Sequence, residues 1–263
     1  MRWKLLIVSL FVSVAVCFGQ GKGCIPTKGT PPYKAGEEID LALFYKWGLV
    51  NTEVAKATVK LEGTSFNGTP AFHVGFGVKS APFFDAFFKM REDFNSWFTV
   101  QGLRPLKFTR NTLEGKYTAT NVYNYDWNNK VIHADVNFNG RGDEHYEIPL
   151  HECVYDLPTL IFYLRTMDIS RMQKGGKYHL SFAIDDAVFD VVLTYHGKEP
   201  FSLSRSDVRD AHLFTCSVVK GAMFEGNQEL KFWFSADGNY VPLAVMAPLR
   251  WGAVWAKLKD YRP

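Results

Sequence analysis

From Glu38 onward, apolar and polar residues change places at nearly every position. The runs are broken by Gly, Asn and Asp, which is the pattern of half-buried strands. Strands are expected at 38–47, 53–61, 71–78, 91–100, 106–111, 116–125, 131–137 and 146–150, and again at 178–184, 188–195, 213–220, 229–234, 240–246 and 252–258. That is about a dozen short strands at the spacing of a sandwich or barrel. Phe66-Asn67-Gly68-Thr69 is a hairpin turn signal, because Asn-Gly accepts the positive φ that a tight turn demands. Val54, Ala57, Val59 and Leu61 switch faces once, which predicts a bulge. No repeat of solenoid length is present.

The alternation stops at one place. Over Ile148–Ile169 the apolar positions Leu157, Leu160, Ile161, Leu164 and Met167 recur at helical spacing. Asp156 suits the N-cap and Pro158 the first turn, so a helix is expected over about 156–167, packed against the sheet. Phe83, Phe84, Phe87 and Phe88 fit either a helical turn or a strand edge and are expected in the core, the alternative being an aromatic lip on a ligand cavity. The expected fold is mainly β: a long curved antiparallel sheet, barrel-like or half-barrel, with one short central helix.

The N-terminus changes the picture of compartment. Arg2 and Lys4 precede an uncharged, mainly apolar run of 14 residues from Leu5 to Phe18, too short to span a bilayer comfortably. Residues 1–19 read as an export signal, cut after Gly19 to leave Gln20; lipid modification of Cys17 is the alternative. Residues 20–36 are rich in Gly, Pro and Lys and read as a linker arm, leaving 37–263 as a single β-rich domain. Loss of Arg2 and Lys4 takes 30 basic residues to 28 against 27 acidic ones, with no basic cluster, so a nucleic-acid partner is set aside.

Export also bears on the cysteines. After residue 19 there are Cys24, Cys153 and Cys216, and an oxidising compartment favours one disulfide and one leftover thiol. Cys216 shares a strand face with Phe214 and Val218, so it reads as a buried thiol and leaves Cys24 and Cys153 as the candidate pair. Spacing alone does not prove that bridge.

Candidate chemistry is sparse. The seven histidines form no two-histidine helical metal motif, and the densest polar group, Asp143, Glu144, His145, His151, Glu152 and Cys153, is split by the strand at 146–150. Asp185-Asp186 and Asp207 through Asp210 read as turn residues between strands rather than paired acids. No nucleophile elbow, phosphate loop or dinucleotide fingerprint occurs. The sequence therefore supplies no catalytic, metal or cofactor residues. Arg165 is the one named candidate for a ligand contact, provided it faces a cavity rather than a buried carboxylate.

Five segments carry a resemblance: YKWGLVNTEVAKATVKLEG, LRPLKFTRNTLEGKY, YDLPTLIFYLRTMD, FWFSADGNYVPLAV and LRWGAVWAKLKDY. Their order and spacing, from about Glu37 to Tyr261, resemble the exported Gram-negative domain-of-unknown-function family 3108. The match runs through Asp156, Tyr163, Arg165, Trp233, Asp237, Pro242 and Gly252 and departs at Pro158, where the family commonly has serine. The resemblance implies an exported β-rich domain and brings no established activity or catalytic residues. The expected function is a non-enzymatic envelope protein, periplasmic or associated with the outer membrane, that binds a lipid, acyl chain or glycan. The alternatives are an envelope-polymer hydrolase using the 143–153 cluster and a scaffold for another envelope protein.

Overall fold

The computed structural model of the protein describes residues 24–218 and 229–263, so the export signal, Cys17 and Gly19 lie outside the described residues. Among the described residues the alternating segments form fifteen strands. The first eight are β1 (Glu38–Trp47), β2 (Val50–Phe66), β3 (Thr69–Ser80), β4 (Met90–Thr99), β5 (Pro105–Glu114), β6 (Tyr117–Asp126), β7 (Val131–Phe138) and β8 (Glu144–Pro149). The remainder are β9 (Val154–Tyr155), β10 (Lys177–Ile184), β11 (Ala187–Ser202), β12 (Val208–Val218), β13 (Leu230–Ser235), β14 (Pro242–Pro248) and β15 (Ala253–Arg262). Among the described residues two α-helices interrupt them, α1 (Pro82–Asp85) and α2 (Leu157–Arg165), with a 3-10 turn at Ile169–Arg171 after the second.

All fifteen strands belong to one sheet, ordered β8-β7-β6-β5-β4-β3-β2-β1-β15-β14-β13-β12-β11-β10-β9. Its ladders are antiparallel except for the short β9, which runs parallel to β10. The edges are β8 and β9, separated in the chain only by residues 150–153, so the sheet has to roll until its edges approach. Ile148 of β8 and Val154 of β9 pack in one cluster with Phe108, Tyr123 and Ile132. The outcome is a large curved, open, barrel-like sheet. At the first turn Asn67 and Gly68 both take positive φ, 50° and 82°. A register shift at Leu43/Phe44 leaves Val54 as the extra residue of a bulge.

Antiparallel alternation sends successive turns to opposite ends of the barrel. One end is filled by α2, which packs against β3, β4 and β10. Asp156 caps α2 by accepting from the Thr159 backbone N–H at 2.8 Å, and Phe162 meets Phe98 and Tyr33 at ring distances of 6.0 and 4.9 Å. The buried face differs from the expected one. Of the expected stripe Leu164 and Met167 are buried, but Leu157, Leu160 and Ile161 are half-buried, and Pro158, Thr159, Phe162, Tyr163 and Arg165 are buried as well. A helix inside a rolled sheet is covered on more than one side, and the five-residue stripe under-reads that.

Other expectations are corrected. Phe83, Phe87 and Phe88 are exposed, not core, because α1 is a single turn outside the rolled sheet with no buried residue. Asp207 lies in a turn as expected, but Asp210 lies inside β12, ion-paired to Lys198 at 2.7 Å. The arm is docked over residues 24–36 rather than loose: Ile25 and Tyr33 are buried, and Lys28 N–H donates to Thr166 O at 2.7 Å. Cys24 and Cys153 form a disulfide, with Cα atoms 5.3 Å apart.

Candidate ligand groove on the outer face of the sheet

The residues singled out from the sequence do not converge. Arg165 is wholly buried, its Nη1 and Nη2 donating to the Glu37 carboxylate and Nη2 also to Asn239 O at 3.2 Å. Tyr261 Oη donates to Glu37 at 2.9 Å and the Tyr33 and Phe162 rings cover the guanidinium, so Arg165 reaches no groove. The acidic and histidine group is dispersed along exposed surface: His145 Nδ1 lies 2.5 Å from Asp135 Oδ1, Glu152 pairs with Arg104 at 3.0 Å, and Asn137 donates to Asp143. Asp185, at φ 56°, holds the Arg110 guanidinium at 2.8 Å. Among the described residues no group of three or more His, Cys, Asp or Glu side chains is placed to hold a metal ion.

One interior carboxylate stands apart. Glu92 accepts from Thr112 Oγ1 at 2.5 Å, while its Oε1 is buried without a partner; burial pushes its pKa up to about 7. The neighbouring Glu114 carboxylate adds to this rise and Arg110 opposes it, so Glu92 sits in a small charged cluster inside the roll.

The better-developed site lies on the other face of the sheet. The register places Ala42, Phe44 and Lys46 of β1 beside Lys257, Trp255 and Ala253 of β15. The far end of the β11–β12 hairpin folds over this face: the Phe201 ring lies 5.0 Å from that of Trp233, which stacks on Trp255 at 5.4 Å. Trp233 Nε1 donates to Glu199 at 2.8 Å, fixing the stack. A bulge between Tyr195 and Gly197 lets the long β11 turn in this direction. The result is a second small core of Phe201, Ala211, Trp233, Leu243 and Ala244, separate from the barrel interior.

Beside that core the strands leave a groove of about 660 Å³. Ala42, Phe44, Phe201, Leu203, Trp255 and Leu258 line it with apolar surface; Lys46, Lys257, Lys259, Asn51, Ser202, Ser204 and Asp207 supply polar groups. Lys257 Nζ lies over the Phe201 and Trp255 rings at 5.7 and 5.5 Å, and partial burial followed by repulsion from Lys46 lowers its pKa. Asp207 is committed to Arg209 at 2.8 Å. Among the described residues, none of the three groove lysines lies within ion-pair distance of a carboxylate: the closest charge pairings of this region, Asp207–Arg209 and Lys198–Asp210, exclude them. A positive, aromatic-walled groove of this volume suits an amphiphile with an anionic head. A second groove, about 680 Å³ on the outer face of β2–β5, has charges of both signs and no aromatic wall.

Sequence reasoning missed this groove, although a signal was present. Trp255 and Lys257 share one face of β15, as Phe44 and Lys46 do on β1, and Lys259 follows at a bulge. An outer face that mixes aromatics with lysines is unlike the usual polar exterior, but which strands it would join depends on the closure of β15 onto β1.

Comparison with known proteins agrees with the fold. No curated protein matches the chain. Among solved structures, the crystal structure of a beta-barrel-like protein of domain of unknown function DUF1849 from Brucella abortus is similar, with a TM-score of 0.55 at 9% identity over 90% of this chain and 98% of that one. At that identity the likeness is one of fold alone. The family model described as protein of unknown function (DUF3108) matches residues 42–259, spanning both groove walls and α2, and the chain therefore belongs to the DUF3108 family.

Proposed function

We propose that this is an exported, non-enzymatic envelope protein that binds an acyl-chain amphiphile with an anionic head in the groove between β1, β15 and the β11–β12 hairpin. The observation that carries the reading is the pairing of Phe44, Phe201 and Trp255 with Lys46, Lys257 and Lys259 around about 660 Å³. Apolar walls remove a hydrocarbon chain from water, and lysine ammonium groups not engaged by carboxylates meet its head. Export is supported by the charged start and apolar run of residues 1–19 and by the Cys24–Cys153 disulfide. Intact-mass analysis of protein from the envelope fraction is expected to show Gln20 at the terminus; a diacylglycerol on Cys17 would replace this with a lipoprotein.

Titration with a fluorescent fatty acid tests the binding. Saturable binding is expected, with Trp255→Ala or Phe201→Ala raising Kd about tenfold or more, the loss of roughly 1.4 kcal/mol of apolar contact. Lys257→Gln is expected to weaken the fatty acid but spare its uncharged methyl ester. Absence of saturable binding, or equal affinity in all three variants, rules the groove out.

A further inference from the structure

The end of the barrel opposite α2 has an unusual surface. Among the described residues ten large hydrophobic side chains are exposed, and eight of them, Trp47, Leu49, Val50, Phe83, Phe87, Phe88, Leu249 and Trp251, lie in or beside turns at that end. Val100, just after β4, and Val208, the first residue of β12, lie beside turns at the other end. Scattered apolar exposure needs no explanation, but concentration at one end of a molecule marks a contact surface.

Two hairpin tips make the core of this surface. β1 pairs with β15, so the β1–β2 and β14–β15 turns stand side by side: Tyr45 Oη donates to Trp251 O at 2.9 Å. Gly252, at φ 82°, is where the tips touch, since a Cβ there would lie 2.2 Å from Lys46 O and 3.0 Å from Trp47 Cβ. Their compositions match. Residues 46–51 read KWGLVN and residues 248–253 read PLRWGA, so each tip carries one tryptophan, at least one leucine, one basic residue and no acid. Leu49 is fully exposed, Trp47 and Trp251 are 55% and 63% exposed, and the Arg250 guanidinium lies 5.8 Å over the Trp251 ring.

We propose that these paired tips dock the protein onto the surface of an anionic lipid bilayer, with Trp47, Leu49 and Trp251 entering the interface and Lys46 and Arg250 meeting the headgroups. Tryptophan is the residue favoured at the boundary between hydrocarbon and headgroups, and an apolar tip flanked by cations is complementary to anionic lipid in both respects. The tips are convex hairpin points, which a bilayer accepts without a matching pocket, whereas a protein partner needs a complementary recess for each tryptophan. The groove reaches the same place, as Lys46 and Asn51 belong both to its lining and to this hairpin. Docking does not depend on what the groove holds.

The test is cosedimentation of the purified protein with vesicles of phosphatidylglycerol and phosphatidylcholine, against phosphatidylcholine alone. Binding to the anionic vesicles is expected, weakening as salt rises, with tryptophan emission shifted to the blue and quenched by brominated lipid. The triple variant Trp47→Ser, Leu49→Ser, Trp251→Ser is expected to lose at least tenfold in partitioning while keeping its circular dichroism, melting temperature and fatty-acid affinity. Retained partitioning in that folded variant overturns the proposal, as does the absence of wild-type binding. A wild-type dimer in sedimentation velocity that the same substitutions dissolve would reassign the tips to a second copy of the chain and overturn it too. Because fatty-acid affinity is measured separately, failure of the tips and failure of the groove are distinguishable.

Discussion

The Arg165–Glu37 pair is the most demanding feature at the scale of single residues. Both side chains are essentially inaccessible, and the carboxylate meets two guanidinium nitrogens and the Tyr261 hydroxyl. Attraction in a low-dielectric interior offsets the loss of hydration only while both partners are present, so removing one strands the other. Arg165→Met and Glu37→Gln are each expected to destabilise by about 3–5 kcal/mol in chemical denaturation. The double variant is expected to cost less than the sum, and strict additivity would show that the two charges do not act as a pair. The free Cys216 is the contrasting case: burial pushes its thiol up to about 12, so little thiolate exists at neutral pH.

At the scale of elements, α2 depends on its interior cap. Asp156 is wholly buried, accepts from the Thr159 amide and from Ser96 Oγ at 2.7 Å, and has its pKa pushed by burial up to about 6. Because the folded state holds this proton more tightly than the unfolded chain, the contribution is greatest below the unfolded value near 3.8 and is lost as pH rises through about 6. A shift of this size corresponds to a change on the order of 3 kcal/mol across that window. Asp156→Asn is expected to flatten the fall in stability between those pH values, while Glu92, raised the same way to about 7, keeps contributing a fall in the variant. If the melting temperature of the wild type relative to Asp156→Asn did not fall between about pH 4 and 6, this sign would be wrong. On the helix itself, Phe162→Ala is expected to cost about 3–5 kcal/mol and Leu164→Ala about 2–5 kcal/mol. Leu160→Ala should cost less than either, since Leu160 is half-buried while Phe162 is 1% exposed.

At the scale of the whole molecule, the arm and the disulfide close the end that α2 fills. Asp168 N–H donates to Pro26 O at 2.8 Å and Tyr163 Oη to Ile25 O at 2.8 Å, and the Cys24–Cys153 bridge spans 129 residues of sequence. A cross-link closing so long a loop restricts the unfolded chain, so Cys24→Ser is expected to destabilise by about 2–5 kcal/mol. Non-reducing peptide mapping is expected to return the Cys24–Cys153 peptide with Cys216 free; a bridge to Cys216 would contradict the placement of β12. The two ends then differ in kind. One is tied down by covalent and polar links, and the other presents aromatic tips and the mouth of a groove.

Local chemistry was sufficient for much of this. Period-two alternation, the Asn67-Gly68 turn, the Val54 bulge and the Asp156 cap each depend on residues within a few positions of one another, so the β class, the curved antiparallel sheet and the short helix could be read from the chain. Alternation tells which residues share a face, but not which face is enclosed or which distant strand lies beside it. The Glu37–Arg165 pair joins residues 128 apart, and the groove joins β1, β11 and β15; both exist only because β15 closes onto β1 and β11 folds back over them. The exposure of Phe83, Phe87 and Phe88 has the same origin: hydrophobicity called for burial, but the segment sits outside the roll, where no described strand or helix buries these rings.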